Sequence, residues 1–255
     1  MTVITSGLPG VRRVEQIMGL PVVVDVRDEE EAGAALDKLF DWLRWVDATF
    51  STFKEDSDIS RINRGRLRRE DAQPQVRQVL EHCELLRHET DGYFDMHTPN
   101  GSIDPSGLVK GWSVDRAAAI LDDAGLRNYA VNAGGDMRVL GRAVPELAWS
   151  VGIQHPLNRQ QVAAVIEATD LAIATSGAYS RGDHVWNPHS ARAPAGILSV
   201  TVVGPELATA DAYATAAFAM GPDRAPHWTA RLQGYDAMTI LADETVFKTG
   251  GFPDE

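Results

Sequence analysis

Cysteine is almost absent from this 255-residue chain: Cys83 is the only one. A single thiol cannot close an internal disulfide, so nothing in the sequence demands an oxidising compartment. Positive charge is also short. With 24 Lys and Arg against 36 Asp and Glu the formal charge is −12, which disfavours nucleic acid and anionic lipid as partners. Arg61, Arg64, Arg66, Arg68 and Arg69 do cluster, but acids flank them, and a solvated loop or helix end explains them. No stretch approaches the roughly 18 apolar residues that a membrane span requires. Met1–Gly19 lacks the basic start, apolar core and small-residue cleavage site of an export signal, so a soluble, cytoplasmic protein without a membrane anchor is expected. Internal repeats, heptad arrays, low-complexity tracts and long linkers are missing too. What remains is one domain over residues 1–255, with Met1–Arg13 expected to be flexible.

The composition that is present, 44% hydrophobic and 24% charged, is that of a globular protein. Val14–Val26 reads as an early strand region around Val22-Val23-Val24. From Asp28, the apolar positions Ala32, Ala35, Leu36, Leu39, Phe40, Leu43 and Val46 recur at helical spacing, and Phe50-Ser51-Thr52-Phe53 ends the run. A short helix over Asp58–Asn63 and a longer one from Pro74 to Thr90 follow, the latter stopped by Asp91-Gly92. After a turn-rich stretch, Asp95–Gly107, another helix covers Leu108–Asp123. Strands are then expected at Tyr129–Asn132, Met137–Leu140, Trp149–Gln154, Val162–Ala168, Leu171–Ala174 and Leu198–Val203. Helices over Leu207–Met220 and Pro222–Leu232, and a hairpin of Ala237–Leu241 with Val246–Lys248, complete the pattern. Strands and helices mix without βαβ alternation, which points to α+β, with mixed or antiparallel sheets and flanking helices.

Three segments hold more Gly, Asp, Thr, Ser and His than folding requires. Asp104-Pro105-Ser106-Gly107-Leu108-Val109-Lys110-Gly111 runs from a turn into a helix whose early turns carry Lys110 and Asp115. Backbone N–H groups at such a helix start, with a lysine, can hold phosphate oxygens. A capped helix with a surface lysine accounts for the same residues, and the spacing is not that of a Walker A loop. In Asn132-Ala133-Gly134-Gly135-Asp136, the paired glycines allow close backbone approach or a tight turn. The third segment runs from Thr175-Ser176-Gly177 through His184 to Asp211 and Thr215. Asp211 and Thr215, four apart on a helix, project oxygens from one face. That pair suits Mg²⁺, or else a dipole-stabilised aspartate with a hydroxyl bonding back to the preceding turn.

In their order these segments resemble the FAD:protein FMN transferase (ApbE-like) family. Phe50-Ser51-Thr52-Phe53 with Ser57-Asp58-Ile59-Ser60-Arg61-Ile62-Asn63 is similar to that family's opening motif, and Gly92-Tyr93-Phe94-Asp95 to its G-x-F-D element. Asp104–Asp115 resembles its D-x-x-G-x-x-K-G-x-x-x-D motif; Asn132–Asp136, Thr175–Gly177, His184 and Asp211-x-x-x-Thr215 follow in the same order. The likeness runs from Met18 nearly to the C-terminus.

The resemblance implies an ApbE-type fold, FAD as substrate and Mg²⁺ as metal. It further implies transfer of FMN from FAD to a Thr or Ser hydroxyl of an acceptor protein, with release of AMP. Asp211 and Thr215 correspond to metal-binding side chains and Gly107 to a carbonyl ligand. Met18, Phe53, Asp95, Met96, His97, Asp104, Lys110 and Asp115 fall on expected FAD contacts, as do Gly134, Gly135, Thr175, Ser176 and Gly177. Phe53 replaces the usual tyrosine, keeping a ring to stack but no hydroxyl. Lys110 would add charge at the pyrophosphate, and His184 is the candidate base for the acceptor hydroxyl. After His184 the family shows I-x-[DN]-P-x-T-G-x-P; here Val185-Trp186-Asn187-Pro188-His189-Ser190-Ala191-Arg192 loses the turn glycine and gains His189. With water as acceptor the same site would be an FAD pyrophosphatase, and without chemistry it would be a flavin-binding or delivery protein.

Overall fold

The computed structural model describes residues 2–3, 10–28, 32–177 and 185–253, the first two by backbone alone. Val11–Ile17 (β2) and Leu20–Val26 (β3) form a hairpin where the sequence suggested one strand region. Its apex is Met18-Gly19, both with positive φ (56° and 72°), as a two-residue turn between twisted strands requires. An Asn-Gly pair would have announced that turn; Met-Gly does not. Of Met1–Arg13, Thr2–Val3 (β1) pairs with the strand Trp149–Gln154 (β6) and Val11 begins the hairpin. Of the segment expected to be flexible, residue 1 and residues 4–9 lie outside the described residues.

Helix α1 spans Gly33–Phe50 and buries the stripe Ala35, Leu36, Leu39, Phe40, Leu43 and Val46. It begins five residues after Asp28. That carboxylate instead accepts the Arg127 and Asn128 amides at 3.0 and 2.9 Å. Helices α2 (Asp58–Asn63), α3 (Pro74–Glu89) and α4 (Ser106–Asp123) follow. Asp91 and Gly92, with φ of 52° and 79°, stop α3 as expected. Strands β4 (Tyr129–Ala133) and β5 (Asp136–Leu140) turn on Gly134-Gly135, and β7 (Val162–Ala168), β8 (Leu171–Gly177) and β9 (Ile197–Gly204) come next. Helix α5 covers Leu207–Met220, α6 only Ala225–Thr229, and β10 (Asp236–Leu241) pairs with β11 (Val246–Lys248).

The fold is α+β, as the sequence indicated. Eight antiparallel strands run in the order β11-β10-β9-β8-β5-β4-β3-β2, and a smaller sheet is ordered β1-β6-β7. The large sheet is a middle layer. Val131, Ala172, Ala174 and Val202 point to the helices; their neighbours Ala130, Ile173 and Val203 join a second core with Trp149, Val151 and Ile166 of the small sheet. Burial on both faces explains why β4 and β9 read as nearly unbroken apolar runs instead of alternating ones. Helix α5 packs in the helical layer with alanines buried around most of its circumference. At its start α4 comes so close that a Cβ on Gly111 would lie 2.4 Å from the Leu207 carbonyl oxygen. Only glycine allows this approach.

Candidate active site

The expected FAD-contacting loop is assembled by hydrogen bonds from the opening motif. Ser57 caps α2 by accepting the Ser60 amide at 3.0 Å and donates to the Ser51 carbonyl at 2.6 Å. Ser60 Oγ lies 3.3 Å from the Ser51 and Thr52 carbonyls, so α2 fixes the Ser51–Phe53 turn. At the end of α2 the Asn63 side chain clamps the Ile103 backbone, donating to its carbonyl (2.9 Å) and accepting its amide (2.8 Å). The motif thus sets the Phe53 turn against the Asp104 loop. Asp104 in turn binds the Met96 carbonyl through its amide (2.7 Å) and accepts the Ser106 amide (3.0 Å) as α4 starts.

Lys110 and Asp211 meet at one point although a hundred residues separate them. Gly111 N donates to Asp211 Oδ2 at 3.2 Å; the ordinary helical acceptor of that amide would be the Gly107 carbonyl. Lys110 Nζ lies 2.5 Å from Asp136 Oδ2 and 3.4 Å from Asp211 Oδ1. Asp136 Oδ1 also accepts the Thr175 amide at 3.0 Å. One turn along α5, Thr215 Oγ1 lies 3.3 Å from Ser176 Oγ, and Thr175 Oγ1 pairs with Thr201 Oγ1 at 2.9 Å. Asp211 is only 3% exposed. Burial raises its pKa to about 7; Lys110 pulls it back and Asp136 pushes it further up.

A polar cavity of about 140 Å³ lies here, lined among others by Gly107, Lys110, Thr175, Ser176, Asp211 and Thr215. A second cavity of about 430 Å³, walled by Met18, Val46, Phe50 and Phe53, adjoins it, and Asp104, Ser106 and Lys110 belong to both. Phe53 is 99% exposed, an unusual state for a phenyl ring.

The expected residues fall into three groups. Gly107, Lys110, Asp104, Asp95, Gly134, Thr175, Ser176, Asp211 and Thr215 line the polar cavity, and Met18 and Phe53 the apolar one. Others do not reach either. Met96 is buried in the main core, and the His97 ring is held by Asp95 at 2.8 Å on one side with Glu84 3.6 Å away. Asp115 accepts the Leu207 and Ala208 amides at 3.0 and 2.8 Å, so it caps α5 from the neighbouring helix. Gly135 serves the β4–β5 turn, donating to Asn132 Oδ1 at 3.0 Å, and Gly177 ends β8. His184 lies outside the described residues. Asp95 keeps a lowered pKa: burial works the other way, but the His97 amide and ring and the Arg87 guanidinium outweigh it.

Sequence reasoning missed Asp136, which it quoted only as the end of a glycine turn. The signal was available: a carboxylate heading a strand directly after a Gly-Gly turn, beside a largely apolar run, Met137–Leu140. The structure leaves Asp136 2% exposed, and a carboxylate is so buried only with a partner. Tyr93, Phe94, Val185, Trp186 and Pro188 in the wall of the polar cavity were missed as well.

Residues 18–100 and 96–239 match the model of the ApbE family. The chain belongs to the ApbE family. Among curated relatives, the FAD:protein FMN transferase of Escherichia coli (strain K12) is 29% identical over 180 residues, 67% of this chain and 51% of that protein. The FAD:protein FMN transferase of Vibrio cholerae is 35% identical over 136 residues, 49% of this chain and 41% of that protein. The chain thus spans about half the length of the curated relatives it matches. The solved flavin transferase ApbE from Vibrio cholerae superposes with a TM-score of 0.83 at 22% identity, covering 96% of this chain and 98% of that one. This likeness establishes the ApbE-type fold.

Whether the residues of this ApbE-family chain suit a metal follows from the donors. Two buried carboxyl groups, Asp136 and Asp211, share the single ammonium of Lys110, so once both are ionised one negative charge is left among these three groups. Beside it stand the hydroxyls of Thr215 and Ser176. Hard oxygen donors with excess negative charge suit Mg²⁺. Among the described residues no cluster of three or more His, Cys, Asp or Glu forms a full cage. Mg²⁺ does not need one, because it keeps water and shares phosphate oxygens with a substrate. The residues present fit the ion.

Proposed function

We propose that the protein transfers FMN from FAD to a Thr or Ser hydroxyl of an acceptor protein in a Mg²⁺-dependent reaction that releases AMP. The observation that carries this reading is the junction of the two cavities at Asp104, Ser106 and Lys110. A flavin dinucleotide has a planar apolar ring system and an anionic pyrophosphate, and the two cavities offer one environment for each. Met18, Phe50 and Phe53 supply apolar and aromatic surface to a ring. Lys110 and the start of α4 face the pyrophosphate.

Asp211 and Thr215, with the Gly107 carbonyl, would hold the magnesium ion, which when bound neutralises pyrophosphate charge. The acceptor oxygen forms a bond to the FMN-side phosphorus while the bond to the bridging oxygen breaks, and AMP departs with that oxygen. Lys110, steadied between Asp136 and Asp211, offers a fixed positive charge to the oxygens on which charge grows. His184 is assigned as the base that takes the acceptor's proton. Substrate-binding roles for Met96, His97 and Asp115 form no part of the proposal, because those side chains are engaged elsewhere.

Among the described residues no helix is long and apolar enough to cross a membrane. A cytoplasmic setting belongs to this reading. Cys83 is compatible with it, being a buried thiol whose pKa burial pushes up, and hence unreactive. The test is to mix protein, FAD and Mg²⁺ with and without host-cell lysate, following AMP release and covalent flavin fluorescence on gel bands. Acceptor-dependent release with a fluorescent protein band supports transfer. Release without acceptor makes the protein an FAD pyrophosphatase, and no release makes it a flavin-binding protein.

A further inference from the structure

The wall of the polar cavity formed by Val185, Trp186 and Pro188 comes from a segment with little regular structure. Its own hydrogen bonds make a tight turn: Asn187 N donates to Arg192 O at 2.8 Å, and Ala191 N to Asn187 O at 2.8 Å. The turn places Ala191 at φ 54°, the left-handed region that alanine enters only at steric cost. Glycine would adopt it freely. A turn with that defect needs support from outside itself.

His189 reaches across to the end of α3. Its Nε2 lies 2.9 Å from the carbonyl oxygen of Asp91, so that nitrogen carries the proton and donates. Its amide donates to Asn187 Oδ1 at 2.9 Å, and its ring packs on Tyr93 with centroids 4.5 Å apart. The Arg224 guanidinium lies 5.8 Å from the centroid of the Tyr93 ring. Gly92, at φ 79°, passes beneath the imidazole; a Cβ there would meet it at 3.6 Å. Tyr93 itself lines the polar cavity. The histidine therefore ties two walls of one cavity together, from positions 98 residues apart.

We infer that His189 is a positioning residue: its hydrogen bond to Asp91 and its packing on Tyr93 latch the strained 185–192 turn in place. The Val185–Trp186–Pro188 wall is thereby held over the polar cavity. The consequence for substrate rests on the flavin-transfer reading; the latch itself does not. Both outcomes can be read in one series, the full-length wild type, His189→Ala and His189→Gln. Gln keeps an N–H donor for the Asp91 carbonyl. Amide hydrogen exchange of peptides covering 185–192 is expected to quicken about tenfold in His189→Ala and stay within about twofold of wild type in His189→Gln. In parallel, KM for FAD in AMP release is expected to rise about fivefold in His189→Ala with kcat changed much less, because a smaller fraction of molecules holds the wall in place.

Unchanged exchange at 185–192 in His189→Ala overturns the latch. So does a Gln variant no better than Ala; faster exchange in His189→Ala with an unaltered KM overturns the wall's role in holding FAD. A wild type that releases no AMP from FAD sinks the flavin reading, and the exchange comparison then decides the latch alone.

Discussion

Gly111 donates its amide to Asp211 Oδ2 at 3.2 Å, although the two are 100 residues apart in the chain. The bond exists because α4 and α5 touch at Gly111, where a Cβ would lie 2.4 Å from the Leu207 carbonyl oxygen. Gly111→Ala is therefore expected to lose about 1–3 kcal/mol, the usual cost of forcing a methyl into filled space. It should weaken Mg²⁺-dependent stabilisation in step, because Asp211 moves with α5. Urea denaturation with and without Mg²⁺ checks both; a fully stable variant would mean the helices can part without cost.

Asp211 gives a pH dependence of defined sign. Burial raises its pKa from 3.8 to about 7 in the folded protein. A group with a raised folded pKa holds its proton longer when folded, so its contribution to stability declines as pH climbs from about 4 to about 7. Asp211→Asn removes that titration. Metal-free wild type should thus lose stability relative to the variant across this window. Mg²⁺ binding displaces the proton, so the rise in Tm on adding Mg²⁺ should be larger at pH 8 than at pH 5 in wild type and absent in the variant. Under the transfer reading AMP release by Asp211→Asn falls by orders of magnitude. An early-melting variant with near-normal turnover per folded molecule would make the aspartate structural.

Asp115 should behave in the opposite way. Both its oxygens accept amides of α5, at 3.0 and 2.8 Å, and Asp115 lines neither of the two cavities. Asp115→Ala is expected to lower stability by about 1–2 kcal/mol through the lost cap. KM for FAD at a temperature where the variant is folded should barely move. Isothermal kinetics beside a melting curve separates the two effects.

Phe53 supplies the reverse contrast. At 99% exposure its ring supports nothing in the unliganded fold, so Phe53→Ala should change stability by less than about 0.5 kcal/mol. If the ring stacks on FAD, its loss costs about 0.5–1.5 kcal/mol of binding beyond area, or roughly a twofold to twelvefold rise in KM. Phe53→Tyr should bind FAD at least as well as wild type. An unchanged KM in Phe53→Ala would remove Phe53 from the flavin site.

How far the sequence led differs from residue to residue. Helix α5 and strands β6, β7 and β11 were legible to the residue, because apolar runs and their breakers coincide there. The β2–β3 hairpin was not, since Met18 takes positive φ without a glycine or asparagine to signal it. Helix α6 shrank to five residues because periodicity over Pro222–Leu232 cannot say where a helix lacks partners. At the site, chemistry-bearing types such as Lys110 and Asp211 could be singled out by spacing and order. Asp115 carried the same signal and serves a helix cap. Only packing shows that Asp115 caps a neighbouring helix whereas Asp211 meets Lys110.

The long-range ties of the fold also bear on how the chain acquires its shape. Asp28 to Asn128, Gly111 to Asp211, Asp115 to Ala208 and His189 to Asp91 each join positions 93 to 100 residues apart. Closing such long loops carries an entropic cost that must be met before any of these bonds forms, and chains rich in them fold slowly. During synthesis, the polar cavity cannot be complete until α5 has left the ribosome, because Asp211 and Thr215 supply its last wall. A nascent chain halted earlier holds Lys110 and Asp136 with no Asp211 to complete the group. The polar half of the site therefore emerges late, and a chaperone that shelters the first two hundred residues would be guarding a chain that still lacks it.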